Sequence, residues 1–254
     1  MKIPKKYKSK LKNLGLVNNT DVKIALAVFT CPKHKDRNEF ILRWIPEKLP
    51  KNIKFFFVYG DSDENKVEGN NLYLKCPERY EFFTEKVYEC LNYFYSQDID
   101  YLVKLDNDTH ILDFSKFINS VRRLEKESID FAATMLNGAE EEGLKEYLRS
   151  TFFEKKEIPK EYRGRYTGIL PDYWFLGHCY ILNKKSIKIL LDRFNETYEH
   201  KKPITEVCED VLISHILFSR DDLNFKQIGR LNVSHKTCTC GKKWCILRQL
   251  SQRK

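Results

Sequence analysis

Three observations predict an α/β fold with a mostly parallel central sheet flanked by helices. Short β-branched apolar runs alternate along the chain with segments whose apolar residues recur at helical spacing. Several of the runs stop at aspartates, first at Asp61 and Asp63 and later at Asp106 and Asp108. The 254 residues suffice for one large domain or two small ones, and no linker divides them.

Residues 1–20 are basic and polar, with only Tyr7, Leu11 and Leu14 at loosely helical spacing, and read as an N-terminal arm. Val22–Thr30 is an apolar, β-branched run ending at Cys31-Pro32, a buried first strand. Lys35–Trp44 puts Phe40, Ile41 and Trp44 on one helical face, and Pro46 ends it. Ile53–Tyr59 is a second buried strand that stops at the polar loop Gly60-Asp61-Ser62-Asp63. Asn71–Leu74 is a short strand candidate. Glu81–Tyr95 is a helix, with Phe83, Val87, Leu91 and Phe94 at helical spacing. Asp100–Leu105 is a third buried strand running straight into Asp106. Phe114–Leu124 reads as a helix and Phe131–Met135 as a strand. Residues 137–170 are charged, irregular and punctuated by glycine, which predicts a long functional loop or lid. Phe175–Leu182 is a strand containing Gly177. Lys184–Phe194 and Val207–Phe218 are helices, and Phe225–Val233 is a last strand leading to His235. One domain over residues 21–235 therefore lies between the arm and a basic, cysteine-containing tail, 236–254. Ligands in such sheets sit beyond the C-terminal ends of the strands, where Asp61, Asp63, Asp106 and Asp108 all fall.

Charged residues make up 32% of the chain, mixed in sign, against 42% hydrophobic, which gives a solvated surface over a sizeable core rather than disorder. Much of the net charge of +9 sits at the ends, from Lys2 to Lys12 and from Lys236 to Lys254. Such ends suit polyanions, phosphorylated substrates or peripheral contact with an anionic membrane; a solvated Lys-rich surface is the competing reading. No helix-turn-helix, RNP or finger pattern supports specific nucleic-acid binding. No run approaches the ~18 apolar residues of a membrane span. No apolar stretch follows the basic start as it would in a secretory signal. The expected location is cytoplasmic, where the eight cysteines are mostly thiols or metal ligands.

Two places carry chemistry. At Asp106-Asn107-Asp108 a buried strand delivers two carboxylates one residue apart, on the same side if the chain stays extended. Hard oxygen ligands so placed suit Mg²⁺ or Mn²⁺, which in turn can hold a diphosphate. A polar turn held by Asx hydrogen bonds is the alternative. Glu209-Asp210-Val211 opens an apolar helix, where the carboxylates either favour the helix dipole or include a general base. His235, after the last strand, is either structural or a metal ligand beside Asp108.

These features occur in an order that resembles the β-1,3-glycosyltransferase family, which includes β-1,3-galactosyltransferases, N-acetylglucosaminyltransferases and fringe. Arg37-Asn-Glu-Phe-Ile-Leu-Arg43-Trp44 resembles the family's first helix, and Phe55-Phe-Phe-Val-Tyr-Gly60 its second strand. Tyr80-Glu-Phe-Phe-Thr84-Glu-Lys86 is similar to Y-x-N-L-T-x-K, with Phe82 where Asn is usual. Tyr101 to Thr109 resembles the strand carrying D-x-D. Gly177-His-Cys-Tyr180-Ile-Leu resembles G-x-G-Y-x-L with Cys179 in place of the second Gly, and Glu209-Asp210-Val211 matches E-D-V. The set spans residues 22 to 235. The family's usual membrane anchor is missing, which bears on location; Phe82 and Cys179 bear on the identity of the sugar.

The resemblance implies a GT-A fold with a Rossmann-like nucleotide half, a UDP-linked donor, Mn²⁺ and inversion at the transferred sugar. It implies that Asp108 and His235 hold the metal and that Asp210 is the base, with Glu209, on the acceptor side, the local competitor for that role. Asp106 would reach the metal through water, or the ribose or donor sugar, with Asn107 beside it. Arg37, Lys86 and Lys104 are candidates for diphosphate or sugar contacts, a surface ion pair being the favoured reading for Lys104. Thr30, Tyr59 and Asp61 would border the nucleoside. Tyr173 and Trp174 are either acceptor platforms or core aromatics. Three other classes remain: an idle nucleotide- or glycan-binding protein on this fold, a nucleic-acid-binding protein and a retaining transferase. In the tail, His235-x₂-Cys238-x-Cys240-x₄-Cys245 would close a zinc site. Free thiols or a disulfide are favoured instead, because His235 is wanted at the donor metal.

Overall fold

The computed structural model describes residues 21–111, 113–137, 173–199, 209–228 and 233–235. The strands are β1 (Ile24–Phe29), β2 (Ile53–Tyr59), β3 (Lys66–Glu68), β4 (Asn71–Tyr73), β5 (Tyr101–Asp106), β6 (Thr109–Ile111), β7 (Phe131–Asn137), β8 (Tyr173–Asn183), β9 (Phe225–Gln227) and β10 (Val233–His235). The α-helices are α1 (Lys35–Leu42), α2 (Phe83–Tyr95), α3 (Phe114–Lys126), α4 (Lys184–Glu199) and α5 (Glu209–Phe218).

Eight strands form one sheet in the order β3-β4-β2-β1-β5-β8-β7-β9. The pairing is parallel from β4 through β2 and β1 to β5, and again at β7–β9. It is antiparallel at β3–β4 and where β8 enters between β5 and β7. The sheet is therefore mixed, with its parallel half built from the first three buried runs of the sequence.

The two sheet faces are read from the period-2 alternation in β1. Ala25, Ala27 and Phe29 join a core with residues of α2, α4 and α5. Ile24, Leu26 and Val28 join a second core with Ile41 of α1 and with Phe117, Ile118, Val121 and Leu124 of α3. In β5, Tyr101, Val103 and Leu105 belong to the second core. Lys104 and Asp106 alternate with them and so face α2 and α5. Asp113 caps α3 by accepting from the Lys116 N–H.

The run read as one last strand, 225–233, is in fact two short strands: β9 extends the main sheet and β10 pairs with β6 in a separate two-stranded ladder. Among the described residues no helix is long and apolar enough to cross a membrane. The arm, the tail with its three cysteines and most of the anticipated loop lie outside the described residues. Cys31, Cys76, Cys90 and Cys179 carry free thiols. Burial pushes those of Cys76 and Cys179 up to about 12, so neither is a nucleophile at neutral pH.

Candidate active site

β5 ends at Asp106, and a turn at Asn107 and Asp108 separates it from β6. The chain does not stay extended across the motif, so the expectation that the two carboxylates share one side is corrected. Asp106 faces the α5 side, where its Oδ1 accepts from Lys104 Nζ at 2.6 Å. Asp108 lies towards α1, 3.9 Å from the Arg37 guanidinium. Asn107 is buried between them. Its Oδ1 accepts from Arg37 Nη1 at 3.3 Å and its Nδ2 donates to Thr30 Oγ1 at 3.2 Å.

From Thr30 the hydrogen bonds continue across the strand ends. Thr30 Oγ1 donates to Asn38 Oδ1 at 2.8 Å, and Asn38 Nδ2 donates to the Tyr59 hydroxyl at 2.6 Å. The Tyr59 ring stacks on Tyr73 at 5.4 Å, and burial raises its pKa. Thr30, Arg37, Tyr59 and Asn107, four of the expected donor residues, thus belong to one network through Asn38. Sequence reading passed over Asn38; its place one residue after Arg37 on the first helix was the only signal.

The Asp210 side is built on β8 and α5. Asp210 is half-buried at the first turn of α5, and its Oδ2 accepts from the Gly177 N–H at 3.0 Å. A side chain at 177 would be tight: an added Cβ would stand 3.0 Å from Glu209 Oε1 and 3.1 Å from Asp210 Oδ2. Ser214 Oγ ties the same helix to β8, accepting from Phe175 N–H and donating to the Asp210 carbonyl. Burial and the neighbouring Glu209 carboxylate push Asp210 up to about 7, against the pull of Lys104. Burial also raises Glu209, with Lys104 opposing.

Lys104 joins the two sides. The favoured sequence reading made it a surface ion pair; its exposure is 2%. Its ammonium donates to Asp106 Oδ1, to the Gly177 carbonyl at 2.6 Å and to Glu209 Oε1 at 3.0 Å. The rings of Phe29, Phe83 and Tyr180 surround it at 5.1–5.5 Å. Burial disfavours its charge, yet Asp106 and Glu209 outweigh burial and raise its pKa above the ordinary value.

Three expectations need correction or stand elsewhere. Lys86 is not a donor ligand: it is buried, and its ammonium donates to both oxygens of Glu78 and to the Thr30 carbonyl. Since Glu78 also accepts from the Gly60 N–H, this pair fastens the ends of β1 and β2. Trp174 is 2% exposed on β8 and is a core aromatic rather than an acceptor platform. Asp61 stands exposed at the end of β2 with φ 54°, accepting from the Glu78 N–H, and takes no part in the Asn107 network. The Tyr173 side chain lies outside the described residues.

No three His, Cys, Asp or Glu side chains cluster as a metal site among the described residues. Asp106 and Asp108 still offer two hard oxygen donors beside the turn. β10 brings the backbone of His235 opposite Thr109, the residue after Asp108. Hard carboxylate oxygens are the donor chemistry that suits a divalent cation.

No protein-family model matches the sequence, and no curated protein matches it. Among solved structures the chain is similar to the galactosyltransferase LgtC in complex with donor and acceptor sugar analogues, at TM-score 0.49 and 11% identity over 90% of this chain and 94% of that one. It is similar to an active-site mutant of LgtC at TM-score 0.47 and 14% identity, over 90% and 95%. It is also similar to 4-diphosphocytidyl-2C-methyl-D-erythritol synthase from Anaerococcus prevotii DSM 20548, at TM-score 0.44 and 12% identity, over 92% and 98%.

Proposed function

We propose that the protein is a metal-dependent inverting glycosyltransferase. It moves a sugar from a nucleotide sugar, UDP-linked in the first instance, to a hydroxyl of a glycan or glycoconjugate. The observation that carries this reading is the link through Lys104. It ties the D-x-D strand to the helix that presents Asp210, a half-buried carboxylate poised near neutrality.

Asp210 takes the proton of the acceptor hydroxyl as that oxygen attacks the anomeric carbon. The bond from that carbon to the diphosphate oxygen breaks on the opposite face, which inverts the configuration. A base with its pKa near the working pH is both available and strong enough, and such catalysis contributes roughly 10² to 10⁴ in rate. Glu209, already held by Lys104, is the weaker candidate for the same role. Asp108 and His235, with Asp106 through water, would hold Mn²⁺ or Mg²⁺, which would supply positive charge to the leaving diphosphate. Arg37 adds a fixed cation at the same place, and Thr30, Asn38 and Tyr59 border the nucleoside.

The test is release of nucleoside diphosphate from a panel of nucleotide sugars with Mn²⁺, with and without glycan acceptors. Acceptor-dependent release from one donor, with inverted product, supports the reading. Tight donor binding without release under any condition overturns it in favour of an idle binding protein, and a retained anomeric configuration overturns inversion.

A further inference from the structure

Lys104 holds acceptors from three elements at once: Asp106 on β5, the Gly177 carbonyl on β8 and Glu209 on α5. Its three ammonium protons are thereby used, and at 2% exposure it cannot reach a donor or an acceptor. A buried ion pair is a poor source of stability, because apolar side chains of similar volume serve as well or better. The bridge does supply something an apolar side chain would not, which is a fixed spacing between two paired strands and the helix packed on their face. Asp106 and Glu209 are 103 positions apart in sequence and meet only on this ammonium.

We propose that Lys104 is a positioning residue of the transfer reaction. It fastens the donor-side carboxylate of Asp106 to the first turn of α5, so that Asp210 faces the donor in one fixed register. This rests on the glycosyltransferase reading above. Among the described residues, the charged and titratable groups facing Asp210 are Lys104 on β5, Glu209 on α5 and Tyr180 on β8. Removing Lys104 removes the one cation among them.

The experiment compares wild type with Lys104→Met and with the double variant Lys104→Met/Glu209→Gln, which loses one buried charge of each sign. The readouts are kcat and KM for the donor, and the titration midpoint of the Asp210 carboxyl carbon by ¹³C NMR without donor. In Lys104→Met the Asp210 midpoint moves to higher pH. In both variants kcat falls on the order of 10²-fold, as for a misplaced catalytic group, while KM for the donor changes much less. A folded Lys104→Met with an unmoved midpoint overturns the proposal. So does either folded variant with wild-type kcat, and if Lys104→Met does not fold, kcat of the double variant decides. A wild type that turns over no donor sinks the glycosyltransferase reading instead, and the NMR midpoint still decides whether Lys104 governs Asp210.

Discussion

Placing a carboxylate beside a second carboxylate, away from water, costs free energy, and Asp210 pays that cost next to Glu209. Its pKa stands at about 7 against an ordinary 3.8, so between these values the folded protein binds more protons than the unfolded chain. Stability therefore declines as pH rises through that window. Asp210→Asn removes the burden. The variant should gain about 1–3 kcal/mol over wild type at pH 8, the gap closing as the pH falls to about 4, as read by urea unfolding across pH. The same substitution should lower kcat by roughly 10² to 10⁴ and leave donor affinity unchanged, because the proton comes from the acceptor. Near-wild-type turnover at saturating acceptor would remove Asp210 from the mechanism. In wild type the rate should rise with pH through about 7, since only the ionised form accepts the proton. Asp210 was legible in the sequence because a familiar motif carries it. Lys104 and Lys86 were not, since a lysine in an apolar run reads the same whether it ends in solvent or on a partner far away in the chain.

β8 and α5 carry the proposed base, and they meet at Gly177, whose N–H donates to Asp210. A methyl there would press on Glu209 Oε1 and Asp210 Oδ2, both held in hydrogen bonds, so α5 has to shift by a few tenths of an ångström. Gly177→Ala should cost about 1–3 kcal/mol as overpacking does. Its kcat should fall more steeply than its urea midpoint, because the shift falls on the base. An alanine variant with unchanged kcat would show that the contact between β8 and α5 does not set the geometry of Asp210. Most elements were readable: β1, β2 and β5 are unbroken apolar runs, and α2 repeats its apolar residues at helical spacing. The break of 225–233 into β9 and β10 was not, because periodicity does not say which sheet a short strand joins. Nor did spacing reveal the turn that sends Asp106 and Asp108 to different sides.

Across the whole molecule, the site draws on the C-terminal ends of β1, β2 and β5, the start of α1, the glycine of β8 and the start of α5. The parallel half of the sheet, foreseeable from alternating strands and helices, supplies the proposed donor end. The antiparallel entry of β8, which no local pattern announces, brings Gly177 and its Asp210 partner to the end of β5. β10 adds the last part, since its pairing with β6 puts the His235 backbone opposite Thr109. Metal and donor should therefore bind the native fold as one unit and not the unfolded chain. Such a ligand at a hundred times its Kd stabilises by about 2.7 kcal/mol, which for a chain of this size raises Tm by roughly 5–10 °C. The expected result is a thermal shift with Mn²⁺ and the matching nucleotide sugar together, a small one with either alone, and none after EDTA. Asp108→Ala and His235→Ala should each abolish the joint shift, and Asp108→Ala should keep the ligand-free Tm within about 2 °C, the size expected of a surface substitution. If Asp108→Ala keeps the full shift with Mn²⁺, the cation is not held at the end of β5.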